Sequence, residues 1–394
     1  MITAKMKLAH KYLSQHGRGT IILLLFVILM SPVNSLAAIH GSGLDHYMKD
    51  SRLWTALLEH PQNWFQSDSA EDIALNVLIY QRESGGWPKN VDYRTPLNRR
   101  DKKSIKQNNK KYRATIDNGA TYSELYFMAR MYTETKEGKY LTSFNRGFDY
   151  LILAQYANGG WPQYFPLRRG YFTHITYNDD AMVGVLMLLR DVALQKPAFS
   201  FVDPARVALA KSAQQKGIDC VLKTQLGRHG KATVWCAQHD EKTLEPASAR
   251  KYELISLSGK ESAGILLYLM ELENPSQQIR DAINDGISWF ESVKIENHEV
   301  IRVKDDSSPT GWDHRLVVKE NAQPMWARFY DTETDQPFFS DRDGERYQNI
   351  ADISSERRNE YGWYGTWPKI ALKYYHELWK DKWTETSEDA NANQ

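Results

Sequence analysis

Cysteine is scarce in this 394-residue sequence, which contains only Cys220 and Cys236. Two thiols cannot form the dense disulfide framework of small secreted domains or a four-cysteine zinc site. The sequence leaves their pairing open. An exported chain can oxidise such a pair, but two cysteines can equally serve as small, buried apolar side chains.

Several motifs of common enzyme classes are also missing. The chain has no P-loop, no dinucleotide-binding fingerprint and no Gly-x-Ser-x-Gly elbow, which argues against the nucleotide-dependent and serine-hydrolase chemistries that use them. His174, His239 and His314 lack the spacing of zinc ligands. We therefore expect each histidine to have a hydrogen-bonded structural role.

Long apolar runs are absent except for one near the N-terminus, "IILLLFVILM" at residues 21–30. Four bases and no acid precede this run, and "SPVNSLAA" follows it. The order predicts a secretory signal over residues 1–37, cleaved after Ala37, although an uncleaved anchor is the alternative. We expect export to the periplasm or the extracellular space, with no membrane attachment after cleavage.

A strong excess of positive charge is also lacking. Without residues 1–37 the chain has 46 bases and 49 acids, a net charge of −3, which does not favour nucleic-acid binding. One segment, residues 94–113, is an exception with nine bases and one acid. We interpret it as a solvated loop, with attraction of a polyanion as the alternative.

Strand-like alternation is uncommon, whereas apolar residues at helical spacing recur along most of the chain. Only 299–305 and 314–320 have the pattern of two paired strands. The sequence predicts a mostly α catalytic domain over residues 38–384, which we expect to be a monomer. The polar segment 385–394 has no apolar anchor, so we expect it to be disordered.

One phrase occurs twice, as "YQRESGGWPKN" at residues 80–90 and "AQYANGGWPQYFP" at residues 154–166. A weaker third copy joins "GIDCVLKTQ" to "TVWCAQHD". Each copy follows a predicted helix. Two glycines end the helix, proline prevents its continuation, and tryptophan folds back onto the helix end. We predict helical hairpins stacked around an axis as a toroid, each inner helix ending at a similar level, with the turns lining a cleft. The alternative is that the turns are purely structural.

Two acidic phrases each lie just before a predicted helix. "ATIDNGATYSE" contains Asp117 and Asn118, and "HITYNDDAMVG" contains Asn178, Asp179 and Asp180. Helix capping accounts for one carboxylate in each phrase. The remaining oxygens favour a hard cation such as Ca²⁺, because facing carboxylates repel each other without one.

Basic and aromatic residues are dense in the C-terminal third of the chain. Arg328, Arg342, Arg357 and Arg358 lie among tryptophans and tyrosines, and an earlier phrase adds Arg250 and Lys260. Guanidinium groups bind carboxylates through two hydrogen bonds, although structural ion pairs with nearby acids are the alternative. Together with a cation site, these residues indicate an acidic sugar polymer as ligand.

Eight phrases in chain order, across roughly residues 70–370, give the sequence a specific resemblance. They are GGWPKN, ATIDNGAT, NGGWPQYFP, HITYNDDAM, VWCAQHDEKTLEPA, ELISLSGKES, FFSDRDG and ERRNEYGWYGTWP. With these phrases the chain resembles the pectate lyases of polysaccharide lyase family 10. The resemblance implies an incomplete (α/α) toroid with a wide groove. It also implies calcium-assisted anti β-elimination of polygalacturonate.

The resemblance also implies roles for individual residues. Asp117 and Asp179, with Asn118 and Asp180, would hold calcium, and Arg342 would abstract the proton. Asp341 stands directly before Arg342, where we expect a small residue, and an acid there favours the charged guanidinium. The substrate contacts expected in this interpretation are Arg250, Arg328, Lys260, Trp161 and Tyr177.

Two other functions remain open from the sequence. An (α/α)-toroid glycoside hydrolase would use Asp117 and Asp180 as acid and base, without calcium. A non-catalytic pectin-binding protein would bind the polymer without turning it over. Formation of a C4–C5 double bond in the product distinguishes the lyase from both.

Overall fold

Helices form most of the regular structure in the computed structural model, which describes residues 55–228 and 230–384. The predicted signal, residues 1–37, and the predicted tail, residues 385–394, lie outside the described residues. The helices, in chain order, are α1 (Thr55–Leu58), α2 (Asp68–Tyr80), α3 (Arg99–Lys111), α4 (Tyr122–Thr135), α5 (Gly138–Ala154), α6 (Ala181–Ala193), α7 (Pro204–Thr224), α8 (Glu261–Met270), α9 (Gln277–Ser292), α10 (Ser355–Glu360), α11 (Pro368–Tyr374) and α12 (Lys380–Thr384).

The strands are short and pair two by two, always antiparallel. They are β1 (Ala114–Thr115), β2 (Tyr164–Phe165), β3 (Ile175–Thr176), β4 (Gly227–Arg228), β5 (Lys231–Ala232), β6 (Gln238–His239), β7 (Leu257–Ser258), β8 (His298–Lys304), β9 (Trp312–Val318), β10 (Trp326–Ala327), β11 (Phe329–Tyr330), β12 (Phe339–Ser340), β13 (Arg346–Tyr347) and β14 (Tyr364–Gly365). The pair β8–β9, with Val300 opposite Leu316, confirms the predicted hairpin.

Alternate helices differ in burial, and this difference defines two layers. In α6, "AMVGVLMLLRDVA", all residues except the last are buried, and every residue of α8 is buried. Helices α4, α6 and α8 pack side by side as an inner layer, whereas α5, α7 and α9 each bury one face and expose the other. Each inner helix packs against the outer helix that follows it, which confirms the predicted stack of helical hairpins.

The tryptophans of the repeated phrase fold back onto helix ends, as the sequence predicts. The indole N–H of Trp87 donates to the carbonyl oxygen of Val77 at 2.8 Å, and that of Trp161 donates to Leu151 at 2.8 Å. In the weaker third copy, Trp235 donates to Val221 at 2.7 Å. The second and third phrases follow the outer helices α5 and α7, and the first follows α2, which is also buried on only one face. The expectation that the repeat marks the ends of inner helices is therefore wrong.

The glutamines of the repeat connect consecutive outer helices. Gln81 donates to Gly85 in its own turn and to Ser143 in α5, at 2.6 and 2.9 Å. Gln155 makes the same two bonds, to its own turn and to α7, and Gln225 makes them to its own turn and to α9. At Gly85, φ is +106° and a Cβ would clash with a carbonyl of α5. Glycine is therefore required at this position, and Gly159 meets a carbonyl of α7 in the same way, with φ of +97°.

The chain returns from each repeated turn through a short strand to the start of an inner helix. Strand β1 precedes α4 and pairs with β2, β3 precedes α6 and pairs with β6, and β7 precedes α8 and pairs with β11. These pairs bring the N-terminal ends of three inner helices to one side of the molecule. That side carries the polar residues singled out in the sequence.

The basic segment 94–113 differs from its prediction as a loop, since it contains helix α3. Asn98 and Asp101 form a reciprocal capping box, which satisfies backbone N–H groups at the helix start. Ile105 is buried, and the Asn109 side chain donates to Ile79 at 2.6 Å. Local capping and one apolar anchor therefore order a segment in which charge dominates.

Both cysteines are buried and have free thiols. Burial raises the pKa of Cys220 to about 11 and also raises the pKa of Cys236. Within the described ranges, no helix combines the length and apolarity needed to cross a bilayer.

Candidate active site

Two of the inner helices begin with turns of nearly identical backbone conformation. Asn118 has φ and ψ of 51° and 41°, and Asp179 has 50° and 37°. These left-handed conformations are costly for residues other than glycine, and asparagine and aspartate tolerate them best. The turns Asp117–Gly119 and Asn178–Asp180 pack against each other, so their polar side chains share one region.

Asp117 is almost fully buried and pairs with the Lys89 ammonium. Burial raises the pKa of the Asp117 carboxyl, the charge of Lys89 opposes this shift, and the negative charge of Asp179 adds to it. The two carboxylates therefore lie close enough to repel each other. Lys89 also interacts with both, since the charges of Asp117 and Asp179 help to raise its pKa against the effect of burial.

Asp179 has the opposite electrostatic environment. Lys260 Nζ lies 2.7 Å from its Oδ1, Arg328 Nη2 lies 3.6 Å from the same oxygen, and the Asn178 amide donates to its Oδ2 at 2.7 Å. Burial alone would raise the pKa of Asp179, but Lys260 and Arg328 hold it well below its ordinary value. This carboxylate is therefore ionised throughout the neutral range.

Arg328 connects the turn to the start of α8. Its Nη2 donates to the Glu261 carboxylate at 2.9 Å, and its guanidinium lies 4.8 Å from the centre of the Tyr361 ring. Glu261 is fully buried and also accepts a hydrogen bond from the Ser258 hydroxyl. Because a buried carboxylate without a partner is costly, Glu261 fixes the position of Arg328.

The remaining two predicted cation ligands lie in the same pair of turns. Asn118 is exposed and its amide nitrogen donates to Asn90 Oδ1 at 2.9 Å. Asp180 is buried at the start of α6 with φ of +58°. Burial and the charge of Arg328 lower the pKa of Lys260, but Glu261, Asp179 and Asp180 together raise it.

Two residues of this cluster were missed by the sequence reasoning. Lys89 directly follows the first Gly-Gly-Trp-Pro, and Glu261 directly follows Lys260. The first had a usable signal, because a base placed by a repeated turn at a cleft faces the predicted acids. The second could not be found, because an acid at the start of an apolar helix has the appearance of a helix cap.

Arg250 and Arg342 form a second group, beside the ring of Tyr252. Arg250 donates twice to Glu253, at 2.8 and 2.5 Å, and Arg342 donates twice to Glu356, at 3.1 and 2.7 Å. The two guanidinium groups lie 4.9 and 5.0 Å from the centre of the Tyr252 ring. These carboxylate hydrogen bonds raise the pKa of both arginines.

The two arginines differ in the contacts that connect their segments to the paired turns. The segment around Arg250 adjoins Asn178, because Ala249, Glu253 and Asn178 line one small cavity. Burial and Glu253 raise the pKa of Tyr171, while Arg250 and Lys89 oppose that shift, so Tyr171 lies near both bases. The contacts of Arg342 are with Glu356 and with the Tyr252 ring that Arg250 also faces.

Asp341 affects Arg342 less than its position in the sequence indicates. Its carboxylate accepts hydrogen bonds from the backbone N–H and the hydroxyl of Ser354, the latter at 2.9 Å, and from the backbone N–H of Arg342. The guanidinium of Arg342 pairs with Glu356 instead. The side chain of Arg342 is 59% exposed, so it lies on the surface.

Trp161 and Tyr177 lie in the core and not on a surface. Both side chains are fully buried, and the Tyr177 hydroxyl shares a 2.7 Å hydrogen bond with Thr224 in α7. The sequence predicts that both residues contact a ligand directly, but neither side chain has an exposed surface through which it could do so. Their positions fit a role in supporting the turns beside them.

Comparison with known proteins decides the family. Residues 81–372, more than half of the chain, match a family model described as pectic acid lyase. The chain belongs to the pectic acid lyase family. A search of the curated proteins finds no match.

Two solved structures of this kind are similar over most of the chain. A family 10 polysaccharide lyase from Cellvibrio cellulosa is 33% identical, with a TM-score of 0.70, covering 84% of this chain and 97% of that one. A mutant of a family 10 polysaccharide lyase from Cellvibrio cellulosa in complex with trigalacturonic acid is 32% identical, with a TM-score of 0.69, covering 84% and 98%.

These similarities confirm three of the sequence predictions. The chain is a polysaccharide lyase, it resembles family 10, and its mostly α architecture is the (α/α) toroid of those lyases. A lyase family disfavours the alternatives of a two-carboxylate glycoside hydrolase and of a non-catalytic binding protein.

Proposed function

We propose that this polysaccharide lyase, which acts on pectate, cleaves polygalacturonate by calcium-assisted anti β-elimination, giving products with a C4–C5 double bond. The observation that carries the proposal is that the turns of Asp117 and Asp179, from two separate helix starts, pack against each other in a pectic acid lyase. We also propose that the enzyme is exported, on the basis of the signal-like residues 1–37.

The residues of the two turns fit calcium. Asp117, Asn118, Asp179 and Asp180 offer carboxylate and amide oxygens, the ligands that Ca²⁺ prefers. The mutual repulsion of Asp117 and Asp179 would be relieved by a divalent cation held by both. When bound, Ca²⁺ would withdraw charge from a uronate carboxylate and stabilise the negative charge that develops as the neighbouring C–H bond breaks.

The surrounding bases fit the carboxylates of an acidic sugar chain. Lys89, Lys260 and Arg328 place three positive charges around the paired turns. Arg328 Nε is buried and has no hydrogen-bond partner among the described residues. Arg250 extends the positive charge towards Tyr252.

The reaction needs a base that removes the proton from C5 of the galacturonate. The base takes the C5 proton, the C5–H electron pair becomes the C4–C5 double bond, and the C4–O4 bond breaks with its electron pair on oxygen. The departing oxygen then takes a proton from water. A guanidine serves only in its neutral form, which is rare at neutral pH, so activity should rise towards alkaline pH.

Arg342 is the base that the family resemblance implies, and Arg250 is a second candidate. The second is favoured by a specific observation, namely that Ala249 and Glu253, on either side of Arg250, line one cavity with Asn178. In each case one glutamate raises the pKa of the arginine. Removing the correct glutamate should therefore increase the neutral fraction of the base.

The matched variants Glu253→Gln and Glu356→Gln distinguish the two arginines. If Arg342 is the base, Glu356→Gln moves the alkaline limb of the kcat profile to lower pH and Glu253→Gln does not. If Arg250 is the base, the opposite result is expected. Two unchanged profiles would contradict a guanidine base at either position.

The function itself is tested by incubating the enzyme with polygalacturonate and following ultraviolet absorbance of the new double bond. We expect absorbance to rise with calcium, to stop with a chelator and to return when calcium is added again. Saturated reducing ends without absorbance would contradict elimination. Absorbance that is unaffected by chelator would contradict the role of calcium while leaving elimination intact.

A further inference from the structure

We infer that His174, Asp240 and Glu241 form a second metal site, selective for a transition metal such as Zn²⁺. One ligand atom from each side chain lies within 4.8 Å of the other two. All three residues are half-buried. This site is separate from the proposed calcium turns and does not depend on the proposed function.

The strand pair β3–β6 brings the three residues together. Ile175 lies opposite His239, so the next residues outward, His174 and Asp240, are cross-strand neighbours. Glu241 is held beside them, because Thr173 donates to its Oε2 at 3.2 Å and Asn158 donates to its backbone carbonyl at 2.8 Å. Sequence spacing hides such a site, since the histidine is 66 and 67 residues before the two acids.

Hydrogen bonds hold the Asp240 carboxylate in position, and Asp240 and His174 each keep an atom that can bind a metal. Asp240 Oδ1 accepts from the backbone N–H groups of Lys242 and Thr243, at 2.9 and 2.8 Å, and from the Thr243 hydroxyl at 3.2 Å. These bonds fix the carboxylate and leave its Oδ2 for a ligand. His174 Nδ1 is buried and has no hydrogen-bond partner in the described part of the chain. A buried nitrogen without a partner is costly, and this independent observation indicates that the imidazole serves a bound group.

The donor set determines the metal. One imidazole nitrogen with two carboxylates suits Zn²⁺ and related transition metals, whereas Ca²⁺ prefers oxygen ligands alone. Three protein ligands leave a fourth tetrahedral position for water. Because Asp179 follows His174 by only five residues, the metal would fasten the strand pair from which the Asn178–Asp180 turn extends.

The test uses the full enzyme, freed of metal by a chelator and then supplied with excess Ca²⁺ to saturate calcium sites. Zn²⁺ is titrated against a chromophoric competitor, and Co²⁺ is used in parallel for its visible spectrum. We expect one Zn²⁺ per chain, and a Co²⁺ spectrum typical of tetrahedral coordination. His174→Gln should weaken Zn²⁺ binding by about 100-fold or more.

A matched histidine control is available on the surface. His376 Nε2 lies 2.7 Å from Glu291 in an exposed pair, and no third candidate ligand joins the pair within the part of the chain that the structure describes. His376→Gln should therefore leave Zn²⁺ binding unchanged. Glu241→Gln provides a second test if His174→Gln does not fold, and it should also weaken binding. Absence of a stoichiometric site in the wild type, or equal affinity in the wild type and either ligand variant, would overturn the inference.

Discussion

The turns Asp117–Gly119 and Asn178–Asp180 share a backbone but have opposite electrostatics. Their second residues, Asn118 and Asp179, differ by no more than 4° in φ and ψ. Burial leaves the pKa of Asp117 raised, whereas Lys260 and Arg328 keep the pKa of Asp179 lowered. Backbone conformation therefore places the oxygens, and the neighbouring bases decide which carboxylate holds its charge most firmly.

The largest effect should come from removing the carboxylates one at a time. We expect Asp179→Asn to lower kcat/KM by about 1,000-fold and Asp117→Asn by about 100-fold, within the range for loss of an electrostatic stabiliser. Added calcium should partly restore only Asp117→Asn, because Asp179 remains as its anchor. Initial rates of double-bond formation over a calcium series measure both. Equal losses in the two variants, with equal rescue, would remove the distinction between the turns.

The free energy of unfolding without calcium should also differ between the same two variants, but by less than their activities do. Asp179→Asn removes the negative charge that faces Lys260 and Arg328. We expect the free energy of unfolding to fall by about 2 kcal/mol at pH 7. Because the pKa of Asp179 is lower in the folded than in the unfolded protein, its contribution to stability is complete above about pH 4 and is lost as the pH falls. The wild type should therefore lose more stability on acidification than Asp179→Asn.

Asp117→Asn should behave differently in the same experiment. Its raised folded-state pKa means that ionising Asp117 costs stability as pH rises, so its replacement should destabilise the protein less than Asp179→Asn does at pH 7. Denaturant unfolding in chelator at pH 4, 5.5 and 7 gives the comparison. A greater loss for Asp117→Asn at pH 7 would show that Lys89 depends on its partner more than the account allows.

The smallest effect should come from the backbone itself. Gly119 has φ of +79°, and the other turn has Asp180 at +58° in the same place. Gly119→Ala should cost about 1–2 kcal/mol, because a Cβ disfavours left-handed φ. Thermal unfolding measures it, with Gly138→Ala as control, since that glycine lies in α5 and a Cβ there meets nothing. Equal stability of the two variants would show that the shared turn conformation is not constrained.

Features of the fold that depend on neighbouring residues were predictable from the sequence. The phrase around Trp87 and Trp161 predicts hairpins correctly, because its helix stop and its tryptophan bond are local. Helix α3 was missed because the capping box of Asn98 and Asp101 was outweighed by the run of bases. Position in the toroid was also missed, since sequence alone does not separate inner from outer helices.

The candidate site was predictable only in part. The acids of the two turns were visible because they lie just before helices, but their partners come from distant segments. The pairing of Arg328 with Glu261 spans 67 residues, and that of Lys260 with Asp179 spans 81. The meeting of His174 and Asp240 depends on the register of β3 and β6. Such contacts require the folded chain.

The central claim is that one calcium ion is held jointly by the two turns. Isothermal titration calorimetry with Ca²⁺, in the presence of trigalacturonate, tests it most directly in the wild type, Asp117→Asn, Asp179→Asn and the surface control Asp149→Asn. We expect one site in the wild type and the control, with affinity reduced at least tenfold in both turn variants. Unchanged calcium affinity in either turn variant would contradict it.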